Sequence, residues 1–365
     1  MPVKPLPAHP RLAQLKAEAR DLLKACAAGD PPACQRLRQF HPRFADARDS
    51  DIASAPLTWS DGLFAVARER GFASWPRLKA FVDAERPNDR ERPHHERITD
   101  TVFRRAVELI DDGDIDALAA HLDAHPDLVR RRVTFEGENY FGQPSLLAFI
   151  AENPIRNDAL PPNIVDVAGM LLHKGAGATP SDVTETLALV SSGRVAREAG
   201  AQRDLIRLLC KAGADPGAAI QPALAHGEFD AADALLQCGA RRTLPVAAAL
   251  GQTDEATALL QTADPAERHL ALAYAAQHGH APIVRRLLDA GVDPDRYNPP
   301  GAHSHSTPLH QAAWNGHADV VRALVEHGAR RDLKDTLWNA TAREWAVHGA
   351  RHSIAEYLGQ FDSGE

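Results

Sequence analysis

The chain has 365 residues, 44% of them hydrophobic, 25% charged and only 5% aromatic, with a formal net charge of −8. Those are values for a folded chain, and few large side chains beside abundant alanine suit helices packed closely in layers. The acidic balance excludes a broad nucleic-acid footprint, since the longest basic run is Arg130-Arg131-Arg132, and no apolar run is long enough for a membrane span.

No apolar signal region precedes the first charges at the N-terminus. The four cysteines, Cys26, Cys34, Cys210 and Cys238, show no CxxC pairing and sit in alanine- or leucine-rich runs. A reducing, cytoplasmic location is the expectation.

Residues 1–86 read as a separate helical module. RLAQLKAEARDLLKACAAGD carries Leu12, Leu15, Ala19, Leu22, Leu23 and Cys26 at helical spacing and stops at Gly29. PPACQRLRQF opens a second helix with prolines in its first turn, where an N–H is dispensable. Thr58 and Ser74 are N-caps for WSDGLFAVARERG and WPRLKAFVDAE, and Phe72 and Trp75 are expected to seal that pair. Residues 87–97 are polar, flanked by proline and without apolar period, and read as a linker.

From about residue 98 the chain repeats itself. A leucine-rich helix ending in a glycine turn recurs as MLLHKGAGA, IRLLCKAGADP, ALLQCGARR, RRLLDAGVDP and RALVEHGARRD. The turn glycines are Gly175, Gly213, Gly239, Gly291 and Gly328, each where a helix end calls for positive φ. The widest gap, between Gly239 and Gly291, splits if ALLQTADP is a degenerate copy without its glycine.

TPLHQAAWNGHADVVRALVEHGARRD at 307–332 resembles the ankyrin-repeat consensus nearly throughout, and the resemblance extends over 98–361 when degenerate copies are counted. ARERGFASWPRLKAF is similar to a short helical module found ahead of such repeats in many bacterial proteins. The resemblance implies an all-α solenoid of about seven to eight degenerate repeats over 98–365, with a concave face that holds a protein or peptide partner. The physics agrees, because two short amphipathic helices cannot bury their apolar faces alone and must stack on neighbours.

The departures from a repeat of about 33 residues point to candidate sites. Units near 218–264 lack projecting fingers, whereas fingers 133–143 and 293–306 and the segment 150–165 are enlarged. Inserted loops in a solenoid tend to decorate one functional face. In the first finger Glu138, Tyr140 and Phe141 combine a carboxylate with aromatics; in the inserted segment Glu152 and Arg156 suit carboxylate or phosphate recognition, or a loop that satisfies its own backbone.

The second long finger carries Asp295, Tyr297, Asn298, His303 and His305. If it is extended, alternate residues share a side and both imidazoles converge. No CxxC or HExxH frame backs the pair, so neither a metal nor a cofactor is expected. His310 belongs to the TPLH tetrapeptide, where the resemblance implies a bond between neighbouring repeats. Trp314, Trp338 and Trp345 gather three of five tryptophans in the last two layers, as a cap or as an aromatic wall near Tyr297.

Two functions follow. The first is a binding protein with a protein or peptide partner and no nucleic acid or membrane. The second is a small-molecule-binding enzyme, a hydrolase, lyase or isomerase, with its pocket between fingers 133–143 and 293–306. There His303 or His305 acts as general acid or base and Glu138 or Asp295 orients it.

Overall fold

A computed structural model describes residues 4, 6, 12–84, 98–134 and 141–360; the expected linker 87–97 lies outside them. Among the described residues all regular elements are helical, with isolated bridges at Arg132–Ser145 and Lys334–Thr341. No described helix is long and apolar enough to cross a membrane. The chain forms two compact units, one made of Met1–Pro87 with Thr243–Glu365 and the other of Asn88–Arg242.

The N-terminal part of the first unit contains α1 (Leu12–Ala27), α2 (Pro31–Phe40), α3 (Asp49–Ser54), α4 (Trp59–Glu69) and α5 (Trp75–Ala84). The stripe Leu15, Ala19, Leu22 and Cys26 meets Leu37, Leu63, Val66 and Leu78 in one core. Asp30 caps α2 by accepting from Ala33 N–H at 3.1 Å, with Pro31 and Pro32 in the turn that has no use for their N–H. Thr58 and Asp61 form a capping box on α4. Trp75 joins the core, and Phe72 packs on it with its ring 5.3 Å from that of Phe81.

The unit Asn88–Arg242 contains α6 (Thr101–Asp112), α7 (Ile115–Ala124), a 3-10 helix at Leu146–Ala151, α8 (Ile164–His173), α9 (Pro180–Ser191), α10 (Arg194–Glu198), α11 (Gln202–Lys211), α12 (Pro216–Ala225) and α13 (Phe229–Gln237). The 3-10 helix lies between α6 and α9, and α12 packs on α9, giving one row of helices; α7, α8, α11 and α13 form the row behind it. These are four helix pairs, each burying its apolar faces on the next.

Four more pairs follow in the first unit: α14 (Leu244–Ala249) with α15 (Thr253–Leu260), α16 (Pro265–His278) with α17 (Ala281–Asp289), α18 (Pro308–Asn315) with α19 (Ala318–Glu326), and α20 (Ala342–His348) with α21 (His352–Gly359). The first helices stack on one another as a row, and α15, α17 and α19 form a second row. Alanines fill the contact, Ala247, Ala248, Ala275, Ala276, Ala312, Ala313 and Ala346 all being buried, which is how few large residues make a dense core. Only residues 238–243 and 261–264 connect the pairs around α14 and α15, so fingers are indeed missing there, whereas residues 290–307 separate α17 from α18.

A polar lock holds successive pairs in register. His280 donates from Nε2 to the Ala249 carbonyl at 2.9 Å, His317 to the Gln277 carbonyl at 2.9 Å, and Arg351 from Nε to the Trp314 carbonyl at 3.1 Å. Each side chain lies over a turn glycine of the preceding pair. At Gly279, with φ 85°, an added Cβ would stand 2.6 Å from the His317 ring, so glycine is required there both for its backbone and for the space.

Candidate functional site

The long finger between α17 and α18 is folded back on itself rather than extended. Ala302 N–H donates to the Pro299 carbonyl and Ser306 N–H to the His303 carbonyl, both at 3.0 Å. His303 sits at φ 58°, a left-handed conformation that histidine enters more readily than most residues. The alternation of a strand therefore does not govern His303 and His305. Their rings nevertheless meet edge to face, 6.0 Å between centroids, and His303 Nε2 shares a 3.3 Å hydrogen bond with the Gln277 amide.

His305 turns into an aromatic cluster. Its carbonyl accepts from Thr336 N–H at 2.8 Å, and its ring lies 5.2 Å from Trp338 and 5.7 Å from Trp345. Burial, with His303 and His310 as neighbours, pushes its pKa down to about 3, and no carboxylate is among the charges that act on it. A base working near neutral pH needs a pKa close to that pH, which His305 lacks.

The cluster is organised by Asp335, a residue sequence reasoning did not single out. Its buried carboxylate accepts from Leu337 N–H at 2.8 Å, Trp338 N–H at 2.7 Å, Ala340 N–H at 2.9 Å and Trp345 Nε1 at 3.0 Å. One carboxylate thus closes the last finger through three backbone N–H groups and holds the Trp345 indole. Trp345 contacts Trp338 at 5.6 Å and Trp314 at 6.1 Å, both edge to face, and His348 stacks on Trp314 at 5.8 Å. Trp314 is 41% exposed and Trp338 48%. The three indoles are therefore one connected surface, open on one side.

The other residues expected at this finger have separate roles. His310 is buried, with Nδ1 2.8 Å from the Thr307 hydroxyl and Nε2 donating to the Ala340 carbonyl at 3.1 Å, a bond from one pair to the next. Burial holds its pKa below the ordinary histidine value. Asp295 accepts from Arg330 N–H at 2.8 Å and so faces the next finger. Asn298 is 2% exposed and lies beneath the surface of the finger. Tyr297 donates its hydroxyl to the Lys334 carbonyl at 2.5 Å, and burial pushes its phenol up to about 12.

Tyr297 also touches the N-terminal helices. The Arg43 guanidinium lies 5.5 Å over its ring, and Arg43 is held by Asp61 at 3.3 Å. Asp61 is buried beside His41, whose Nε2 is 3.2 Å away. Burial alone would raise this carboxyl; the hydrogen bond and charge of His41, with Arg43, bring it below the usual range. No spacing in the sequence foretells this contact, because it joins residues more than two hundred positions apart.

In the other unit, Glu152 and Arg156 form an internal lock. The Glu152 carboxylate accepts from the N–H groups of Arg156 (2.6 Å), Asn157 and Asp158 (3.1 Å). Arg156, 1% exposed, pairs with both oxygens of Asp111 at 2.8 Å and donates to the Phe149 carbonyl at 3.0 Å. These groups are spent on the loop itself, the second of the two uses their chemistry allowed. Phe141 is buried against Phe149, 5.3 Å between rings. Glu138 and Tyr140 lie outside the described residues. Among the described residues no group of three or more His, Cys, Asp or Glu side chains is placed to hold a metal ion.

A family model described as ankyrin repeats, three copies, matches residues 244–335 and 272–363. Among curated proteins none matches the chain. The helix pairs, the glycine turns and the interlayer histidine bonds agree with the match, and residues 244–363 are ankyrin repeats.

Proposed function

We propose that this protein is a binding module that holds a peptide segment of a protein partner on the indole surface of its last two repeats. Ankyrin repeats are in general protein-interaction modules. The observation that carries the reading is the shared exposure of Trp314 and Trp338, both packed on Trp345. Single exposed apolar residues are ordinary, but a connected patch with polar neighbours marks an interaction surface. Covering the exposed part of each indole, about 100 Å², contributes roughly 2–3 kcal/mol, enough for tryptophan to dominate an interface.

Selection of a displayed peptide library on the wild-type protein tests this. The enriched peptides bind with an apolar or aromatic anchor. Replacing Trp314 and Trp338 together by alanine weakens them by about a hundredfold or more, since two buried anchors are lost. The reading fails if enriched peptides bind the folded double variant as well as they bind the wild type.

A further inference from the structure

The last finger also lines a feature of opposite chemistry. A cleft of about 860 Å³ is lined by Arg330, Arg331, Lys334 and Arg343 together with Asp332 and Glu344. Both carboxylates are already engaged: Arg330 pairs with Asp332 at 2.7 Å, and Glu344 accepts from the Thr341 N–H at 2.7 Å and hydroxyl at 3.0 Å. Asp295, at the edge, is taken by Arg330 N–H. Counting Asp295, four cations face three carboxylates, a small local positive excess in a chain whose formal charge is −8. Such an excess, in a cleft and against the overall balance, concentrates anions.

The cations come from two walls. Arg330, Arg331 and Lys334 belong to the finger, Arg343 to the first turn of α20, and the bridge between Lys334 and Thr341 joins the two walls. Val325 supplies an apolar side, with Ala329 and Leu358 buried behind it. The volume is in the range of small-molecule sites, about 300–1,000 Å³, and far exceeds one inorganic phosphate. Guanidinium forks recognise phosphoryl oxygens two at a time.

We propose that this cleft binds a small organic phosphate, with its phosphoryl groups between the finger cations and Arg343 and its carbon body against Val325. A nucleoside diphosphate has these features and is the probe of choice. The site is independent of the indole surface, and its variants leave Trp314 and Trp338 in place.

The test is calorimetric titration of the full chain at low salt with a nucleoside diphosphate, with inorganic pyrophosphate and with a glutamate-rich peptide. The diphosphate is expected to bind in the micromolar range, more tightly than pyrophosphate, and more weakly as salt is raised. Lys334→Glu combined with Arg343→Glu lowers that affinity by at least about tenfold, or 1.4 kcal/mol, while circular dichroism reports an unchanged fold. Both side chains are exposed, and Lys334→Ala alone, expected to weaken binding severalfold, serves if the double variant does not fold. The proposal is overturned if neither phosphate binds at millimolar concentration, or if the folded variants bind unchanged. It is also overturned if pyrophosphate matches the diphosphate, or if only the glutamate-rich peptide binds, which would give the cleft to an acidic protein segment.

Discussion

In the helix pairs after residue 243 the layers are tied by one recurring device, a histidine or arginine laid over the glycine of the pair before it. Between residues 98 and 242 the same task falls to other side chains. Asn163 donates to the Gly113 carbonyl at 2.8 Å, and Gln202 to the carbonyls of Val190 and Gly193 at 3.2 and 3.3 Å. Glu228 is fixed by Arg197 at 2.9 Å. A buried backbone carbonyl must be met by some donor, but nothing requires the donor to be histidine. Repeats that read as degenerate are degenerate in the identity of the lock, and much less in its geometry.

The largest expected effect comes from the improvised lock. Arg156→Met strands Glu152 and Asp111 in or near the core and destabilises residues 98–242 by about 3–5 kcal/mol, the usual consequence of breaking a buried ion pair from one side. Next is Gly279→Ala, which combines positive φ with a collision against His317, for about 2–4 kcal/mol lost from the later repeats. Gly291→Ala is its control: φ is 80° but nothing lies within 4 Å of the added Cβ, so the backbone penalty alone remains, about 1 kcal/mol. Hydrogen exchange resolved by segment checks all three. If Arg156→Met and Gly279→Ala loosen both stretches alike, the contrast between two separately locked regions is wrong.

A smaller effect concerns acid. His305 is held at about 3 and His269, chiefly by burial, at about 4. Above about pH 6.5 both are neutral folded or unfolded and contribute nothing to the pH dependence. As pH falls below that, the unfolded chain takes up protons that the folded chain refuses, and stability declines toward pH 3–4. His305→Gln removes part of this acid limb, read as a smaller drop in urea midpoint between neutral and acid pH. An unchanged limb would show that His305 is not buried among the indoles in solution.

What the sequence made legible follows the same contrast. Glycines at the ends of leucine-rich helices announce themselves, and the five named in advance all have positive φ, from 80° at Gly291 to 103° at Gly175 and Gly239. The absence of fingers near α14 and the excess at 293–306 were equally readable, because length is a property of sequence. The site was less so. Trp314, Trp338 and Trp345 could be placed in the last layers, but the carboxylate that holds the Trp345 indole, Asp335, has no spacing that distinguishes it from any turn aspartate. Phe141, Glu152 and Arg156 show the converse: side chains with the chemistry of recognition, absorbed by a loop that had to satisfy itself. His303 could not be judged from alternation, since one left-handed residue redirects everything after it.

The glycine-and-histidine lock also bears on how such an array changes length over generations. Gly279 is followed at once by His280, and Gly316 by His317, so each layer carries the receiving half and then the reaching half at a single seam. A duplication or deletion running from seam to seam, such as residues 280–316, rejoins a glycine to a histidine and leaves every remaining layer with a partner before and behind it. A copy out of step with the repeat leaves a carbonyl unmet or a ring against a side chain. The whole repeat is the unit by which this protein can be lengthened or shortened by copying errors without losing its register.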